Sequence, residues 1–203
     1  WCTDYKGEFR TGDGRYCYPR TLTDRFSRAV LGCEAFERIN TDEAMEAFHE
    51  FFAEHGLPDV IRSDNGTPFA ARSLWGLSRL SVWWMRLKIW HERIAPGQPQ
   101  QNGQHERMHL DLKRATTRPA AKNALAQQER FDAFREEFNN VRPHEALAMK
   151  TPSEVYVPSL RMLPAKLEDP TYPLHDDTLR LDAFGQLRIG RRNFALAVPL
   201  ANE

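Results

Sequence analysis

Apolar and polar residues alternate from Trp1 to Phe9, with Trp1, Thr3 and Tyr5 on one face, which predicts a strand. Gly12-Asp13-Gly14 is a hairpin turn signal, and residues 16–23 and 28–36 supply two further strands, so the chain opens as a three-stranded meander. Pro19 argues against a central place for the second of them. The period then lengthens. Ala44, Met45, Phe48, Phe51 and Phe52 form an apolar helical stripe, started by Asn40 with Glu43 at capping-box spacing and stopped at Gly56. Val60-Ile61 reads as the end of a buried strand that Asn65-Gly66 halts. Residues 70–85 read as a helix around Leu74, Leu77, Leu80, Val82 and Trp84, and "APGQPQQNG" (95–103) as a polar loop. Further helices begin near Gln104 and span 127–140, the latter with Phe131, Phe134 and Phe138 at core spacing. "RPHEAL" and "TPSEVY" read as loop and short helix, and beyond Pro164 short alternating segments around Gly185 and Gly190 predict a small unit of three strands.

A meander followed by helix and strand predicts a mixed α/β fold, because the helical crossover lets the fourth strand run parallel to a neighbour. Hydrophobic content of 41% with 28% charged residues places the chain among ordinary soluble globular proteins. No apolar run approaches a membrane span and no signal peptide is visible. The opening at Trp1, already inside a strand pattern, reads as a piece of a longer protein. Cys2, Cys17 and Cys33 are odd in number and far apart, which points to a reducing compartment and away from disulfides or a zinc finger. Formal net charge is zero, yet Arg86, Lys88, Arg93, Arg107, Lys113, Arg114 and Arg118 make one stretch locally basic.

Three acids are out of keeping with their surroundings: Asp4 within a strand, Asp64 at the end of a buried strand, and Glu106 opening a helix. Asp4 and Asp64 meet if the first and fourth strands lie side by side and parallel, with Glu106 packing across from them. Three carboxylates that close repel one another unless a cation sits among them, and hard oxygen donors select Mg²⁺ or Mn²⁺. Such a set suits two ions about 3.5–4 Å apart that clamp the attacking and leaving oxygens of a phosphoryl displacement. His109 and Lys113 follow Glu106 at i+3 and i+7 on one helix face and are candidates for phosphate contacts, while Asn65, Gln101 and Asn102 are candidates for shaping a DNA strand entrance.

The blocks "WCTDYKG", "TLTDRFSR", "GLPDVIRSDNGTPF", "PGQPQQNGQHERMH" and "RPHEAL…TPSEVY", in this order, resemble the catalytic core of retroviral-integrase-type DDE transposases from bacterial insertion sequences. The resemblance spans roughly residues 1–158. It implies an RNase H-like mixed sheet, an antiparallel meander extended by parallel strands and flanked by helices, and Mg²⁺-dependent cutting and joining of DNA. The catalytic and metal-binding triad falls on Asp4, Asp64 and Glu106. The 41 residues between Asp64 and Glu106 exceed the spacing usual in the family. Also implied are two Mg²⁺ or Mn²⁺ ions, transposon ends and target DNA as partners, at least a dimer on DNA, a cytoplasmic setting in bacteria, and a helix-turn-helix region upstream of Trp1. Residues 165–203 would form an incomplete β-barrel-like module that touches DNA through Arg188, Arg191 and Arg192.

Rival readings are weaker. Asp24 precedes a serine-containing turn, where a carboxylate caps naturally. "HERMH" matches H-E-x-x-H, the zinc-protease helix, but Gly103 lies just upstream, Arg107 sits between the two histidines, and no third ligand follows. Tyrosine or serine recombinase chemistry needs a nucleophile among clustered arginines, a constellation the sequence lacks. A catalytically silent DNA-binding relic of the same fold would have lost an acid or the Asn-Gly turn, and both are present.

Overall fold

The computed structural model describes residues 1–71, 74–95, 98, 103–169, 179–189, 192–196 and 198–201. Its centre is a mixed sheet. Strands β1 (Cys2–Tyr5), β2 (Phe9–Arg10), β3 (Tyr16–Thr23) and β4 (Val30–Phe36) are joined by antiparallel pairing on both sides of β3, and β5 (Val60–Ser63) and β6 (Trp90–Arg93) extend the sheet in parallel from β1. The expected meander and the parallel fourth strand are thus present. Pro19 is accommodated inside β3 opposite Ala35 of β4: its carbonyl points toward the β1 side, where it accepts from the Lys6 amide at 2.8 Å beyond the end of that strand, so its missing N–H is not one that β4 needs.

Helix α1 (Thr41–His55) makes the crossover between β4 and β5. Asn40 caps its start by accepting from the Asp42 amide, and Gly56 ends it at φ +74, a conformation L side chains rarely adopt. Its buried stripe of Ala44, Phe48, Phe51 and Phe52 packs on one sheet face with Leu22, Leu31, Ile61, Phe69 and Trp84. Gly32 permits this approach, since a Cβ there would lie 2.1 Å from the Phe51 ring. Helices α3 (Gly103–Thr116) and α4 (Ala124–Asn140) cover the other face, where Met108, Leu112, Phe131, Phe134 and Phe138 meet Cys17, Val30 and Cys33. The result is a three-layer α/β/α domain.

The helix expected over 70–85 is shorter. A turn at Leu74–Gly76 precedes α2 (Arg79–Arg86), because Trp75 takes φ +58 and the Ser78 hydroxyl caps the new helix through the Ser81 amide. Strand β6 was not expected. Trp90 is 71% exposed, so this edge strand lacks the apolar alternation that marks a buried one, and its register comes from pairing with β5. Tyr156, Leu163 and Leu167 pack on the α1 core, and the Leu57 amide donates to the Arg161 carbonyl at 2.6 Å, so core packing continues past residue 158 and the short α5 (Pro152–Val155). Among the described residues the C-terminal unit has two strands, β7 (Gln186–Ile189) and β8 (Arg192–Ala195), in a separate hairpin, and not three.

Candidate active site

Side chains alternate across a strand, and this assigns the site to one face. Arg20 and Leu22 point from β3 to α1, whereas Thr21 and Thr23 point to α3. Asp4 is paired with Thr21 and shares that face. Since Cys2 aligns with Arg62 in a parallel register, Asp4 and Asp64 stand at one level, at the carboxyl ends of neighbouring strands. Burial and then the charge of Asp64, with a smaller contribution from Glu106, push the Asp4 carboxyl up to about 7, against the opposing influence of the Tyr5 amide and Lys6. Asp64 is held by its own turn, Oδ1 accepting from the Gly66 amide at 3.0 Å. Asn65 lies beside it, exposed, and its side-chain amide donates to the Ile94 carbonyl at 2.9 Å, tying the turn to the end of β6.

Glu106 is exposed in the first turn of α3. None of the three acids has a Lys or Arg within ion-pair distance among the described residues. The donor chemistry therefore suits a hard cation: the charge of Asp64 raises the proton affinity of Asp4, and a cation relieves that. As placed, the three do not close into one ready cluster of ligating side chains among the described residues. Asp4 and Asp64 are the preset pair.

His109 differs from expectation. His109 was expected to reach DNA phosphates, but it is buried, its Nε2 lying 2.6 Å from Thr21 Oγ1 and its Nδ1 3.9 Å from Asp4 Oδ2. Burial, with the neighbouring His105, drives its pKa down to about 2, so the contact with Asp4 joins a neutral ring to a carboxyl group and is not a salt bridge. The physical reason is its position: the apolar stripe of α3 runs through Met108 and Leu112, and His109 belongs to it. His105 lies deeper, its Nε2 2.6 Å from the same Thr21 hydroxyl and its Nδ1 2.9 Å from Thr23 Oγ1, and burial lowers its pKa to about 3. Both rings thus lean on Thr21, which speaks against "HERMH" as a zinc site. Lys113 is exposed, as a phosphate contact requires. Gln101 and Asn102 lie outside the described residues. Asp24 caps its turn, accepting from the Ser27 amide at 2.8 Å and hydroxyl at 2.6 Å.

Sequence reasoning passed over Thr21 and Thr23. The available signal was two alternating threonines in one strand and two histidines one helical turn apart, each a pair presenting to one face. Thr21→Val keeps the shape but strips both Nε2 atoms of their partner. It should destabilise the domain by roughly 2–5 kcal/mol, at about 1–3 kcal/mol for each orphaned buried group, measured by urea unfolding. A loss below about 0.5 kcal/mol would show that the rings find other partners.

The fold of this chain is RNase H-like. It aligns with the HTLV-2 integrase catalytic core domain in complex with magnesium (TM-score 0.58, 16% identity, over 76% of this chain and 94% of that one). It also aligns with a chain of the simian T-cell lymphotropic virus intasome in complex with PP2A regulatory subunit B56 gamma (TM-score 0.62, 19% identity, 88% and 60%). Two models described as integrase core domain match residues 1–99 and 87–152. An uncharacterized protein of insertion element IS136 from Agrobacterium fabrum is 29% identical over 166 residues, covering 76% of this chain and 80% of that protein. The Gag-Pol polyprotein of baboon endogenous virus is 31% identical over 110 residues, 54% of this chain but 6% of the polyprotein. The chain belongs to the integrase core domain family, among the integrase-type transposases.

Proposed function

We propose that this chain is the catalytic core of an insertion-sequence transposase that cuts and joins DNA strands at Asp4, Asp64 and Glu106. The observation that carries this reading is the pairing of Asp4 with Asp64 at the ends of adjacent parallel strands, with no Lys or Arg at ion-pair distance among the described residues. Two Mg²⁺ or Mn²⁺ ions, when bound, would supply charge neutralisation at the attacking and leaving oxygens of an in-line displacement. Asp4 and Asp64 would hold both ions, and Glu106, carried in by α3, would complete one site. Asp64 is oriented for this by the Gly66 amide on its Oδ1, with Oδ2 left to a ligand. His105, His109 and Thr21 form the layer beneath Asp4 that excludes water and fixes its strand against α3. Lys113 would contact a DNA phosphate, and Asn65 would shape the strand entrance through the turn it anchors.

The DNA partners would be transposon ends and target, bound by at least a dimer in the bacterial cytoplasm. The IS136 relative supports the bacterial setting, and the dimeric and trimeric forms in which the HTLV-2 core has been solved support self-association. No described helix is long and apolar enough to cross a membrane. Residues 165–203 would be a separate small β module. The intact acids disfavour the silent DNA-binding relic. The test is nicking of supercoiled plasmid and strand transfer of labelled duplex ends, in Mn²⁺ and in EDTA. Metal-dependent products supported by the wild type and lost in Glu106→Gln are expected; full activity in Glu106→Gln would overturn the assignment.

The raised Asp4 pKa gives a second test that needs no activity. Below about pH 4 Asp4 is protonated in both the folded and the unfolded chain. As pH rises toward 7 the unfolded chain releases its proton first, so the metal-free fold loses stability across this window. Asp4→Asn should therefore raise the melting temperature in EDTA at pH 8, by the equivalent of a few kcal/mol at about 1.36 kcal/mol per pKa unit, and leave it unchanged near pH 3.5. A lower melting temperature at pH 8 would mean that the carboxylate is structural.

A further inference from the structure

On the far side of the His105 layer from Asp4, at the amino-terminal end of β1, lies a cavity of about 260 Å³. Arg25, Arg28, Arg107 and Arg142 line it together with His144. Arg142 is engaged with Asp111 at 3.3 Å and Glu137 at 3.5 Å. Arg25, Arg28 and Arg107 have no ion-pair or hydrogen-bond partner among the described residues. Of the three acids on the wall, Asp24 is occupied by Ser27 and Asp111 by Arg142, which leaves the exposed Glu145 against the arginines Arg25, Arg28 and Arg107. His144 adds a buried Nε2 with no partner, and its pKa is lowered by burial and then by Arg28 and Arg142, so the ring is a neutral donor or acceptor beside the arginines.

The loop that carries two of these arginines is built to hold them still. Asp24 fixes it from inside through the Ser27 amide and hydroxyl, the Ala29 amide donates to Ser27 Oγ at 3.2 Å, and Arg28 is held at φ +64. Between the arginines Phe26 stands 81% exposed. Leaving a phenylalanine bare and three guanidinium groups unpaired forgoes burial and pairing that the fold could have used. Arginine at phosphate and an aromatic face under a base are together the usual grip on a nucleic-acid strand.

We propose that this cavity is a second DNA-binding site, in which Arg25, Arg28 and Arg107 hold the phosphodiester backbone of an unpaired strand while Phe26 stacks on one of its bases. It rests on the reading of the chain as a DNA-processing core, and it adds a grip set apart from the acids. Helix α3 joins the two, since Arg107 lines the cavity and Glu106, one residue earlier, bears on Asp4.

The test is fluorescence anisotropy in EDTA with a duplex carrying a single-stranded overhang and with the blunt duplex, from low to moderate salt. Arg25→Gln/Arg107→Gln, both at exposed positions, should bind the overhang duplex at least ten-fold more weakly at low salt and flatten its log–log salt slope by about one unit or more, near 0.7 per phosphate lost on a single strand. Phe26→Ala should weaken binding roughly five-fold or more with the slope unchanged. Both effects should shrink on the blunt duplex. Wild-type affinity and slope in the double variant would overturn the proposal, as would absence of DNA binding by the wild type. A parallel titration with inorganic phosphate, followed on the His144 ring by NMR, separates the sources. Phosphate binding without any effect of the variants on DNA would make this a small-anion pocket and overturn the DNA assignment. Because binding is read without metal, a chain that fails to cut DNA but shows these losses would retain this site and lose the catalytic reading.

Discussion

Asp64→Asn is expected to leave the fold intact and to lower metal-dependent strand transfer by several orders of magnitude. The change is nearly isosteric, and the Gly66 amide can still donate to the remaining side-chain oxygen, so the turn after β5 keeps its geometry. What is lost is the negative charge that, with Asp4, would bind both ions, and a phosphoryl displacement run by positioning and charge neutralisation has little else to fall back on. Removing the charge also relieves the repulsion that raises the Asp4 pKa, so the metal-free variant should melt no lower than the wild type. Strand-transfer products and a thermal melt in EDTA, measured on the same preparation, check both halves. Asp24→Asn is the matched control: its carboxylate serves the Ser27 turn, and activity should persist. A variant at Asp64 that cuts DNA at the wild-type rate would remove Asp64 from the chemistry.

Arg20→Ala should produce the largest loss of stability. Arg20 is fully buried between β3 and α1, where it donates to both Glu34, at 3.1 and 3.2 Å, and the Ala44 carbonyl, at 3.0 Å, beneath the rings of Phe36, Phe48 and Phe51. Truncation opens a cavity and leaves Glu34 without its cation. Breaking a buried pair from one side costs about 3–5 kcal/mol, which for a domain of this size is roughly a 10 °C fall in melting temperature. The Glu34 pKa is already raised because burial outweighs the pull of Arg20, so in the variant this carboxyl should hold its proton more tightly still. Arg20→Met/Glu34→Met replaces both partners with apolar groups and should recover most of the loss. A loss below about 1 kcal/mol in the alanine variant would show that α1 is held by its phenylalanines alone.

The elements that were legible in the sequence are those whose pattern burial enforces. The stripe Ala44–Phe52 and its caps gave α1 nearly to the residue, and the β-branched pair before Asp64 gave β5. Strand β6 was hidden because an edge strand buries little, and Trp90 faces solvent. The helix expected over 70–85 was shortened by Ser78, whose hydroxyl offers a start signal that the apolar spacing alone overrode. Within the candidate site Asp4 and Asp64 were legible as neighbours because an unpaired carboxylate on a buried strand is costly and therefore conspicuous. His109 was read as a phosphate contact because a polar residue on a helix reads as exposed, whereas it and His105 are both buried. Their burial depends on Thr21 and Thr23, which lie more than eighty residues away in the chain and meet them only once α3 covers the sheet. Arg20 was invisible for the same reason: its partners come from β4 and from α1.

The central claim is that Asp4 and Asp64 exist to bind divalent metal, and anomalous scattering from crystals equilibrated with Mn²⁺ tests it most directly. The account predicts manganese peaks between the two carboxyl groups, with Glu106 drawn toward one of them and His105 and His109 still on Thr21. Saturating Mn²⁺ that leaves this place empty, or metal held instead by the two histidines, would contradict it.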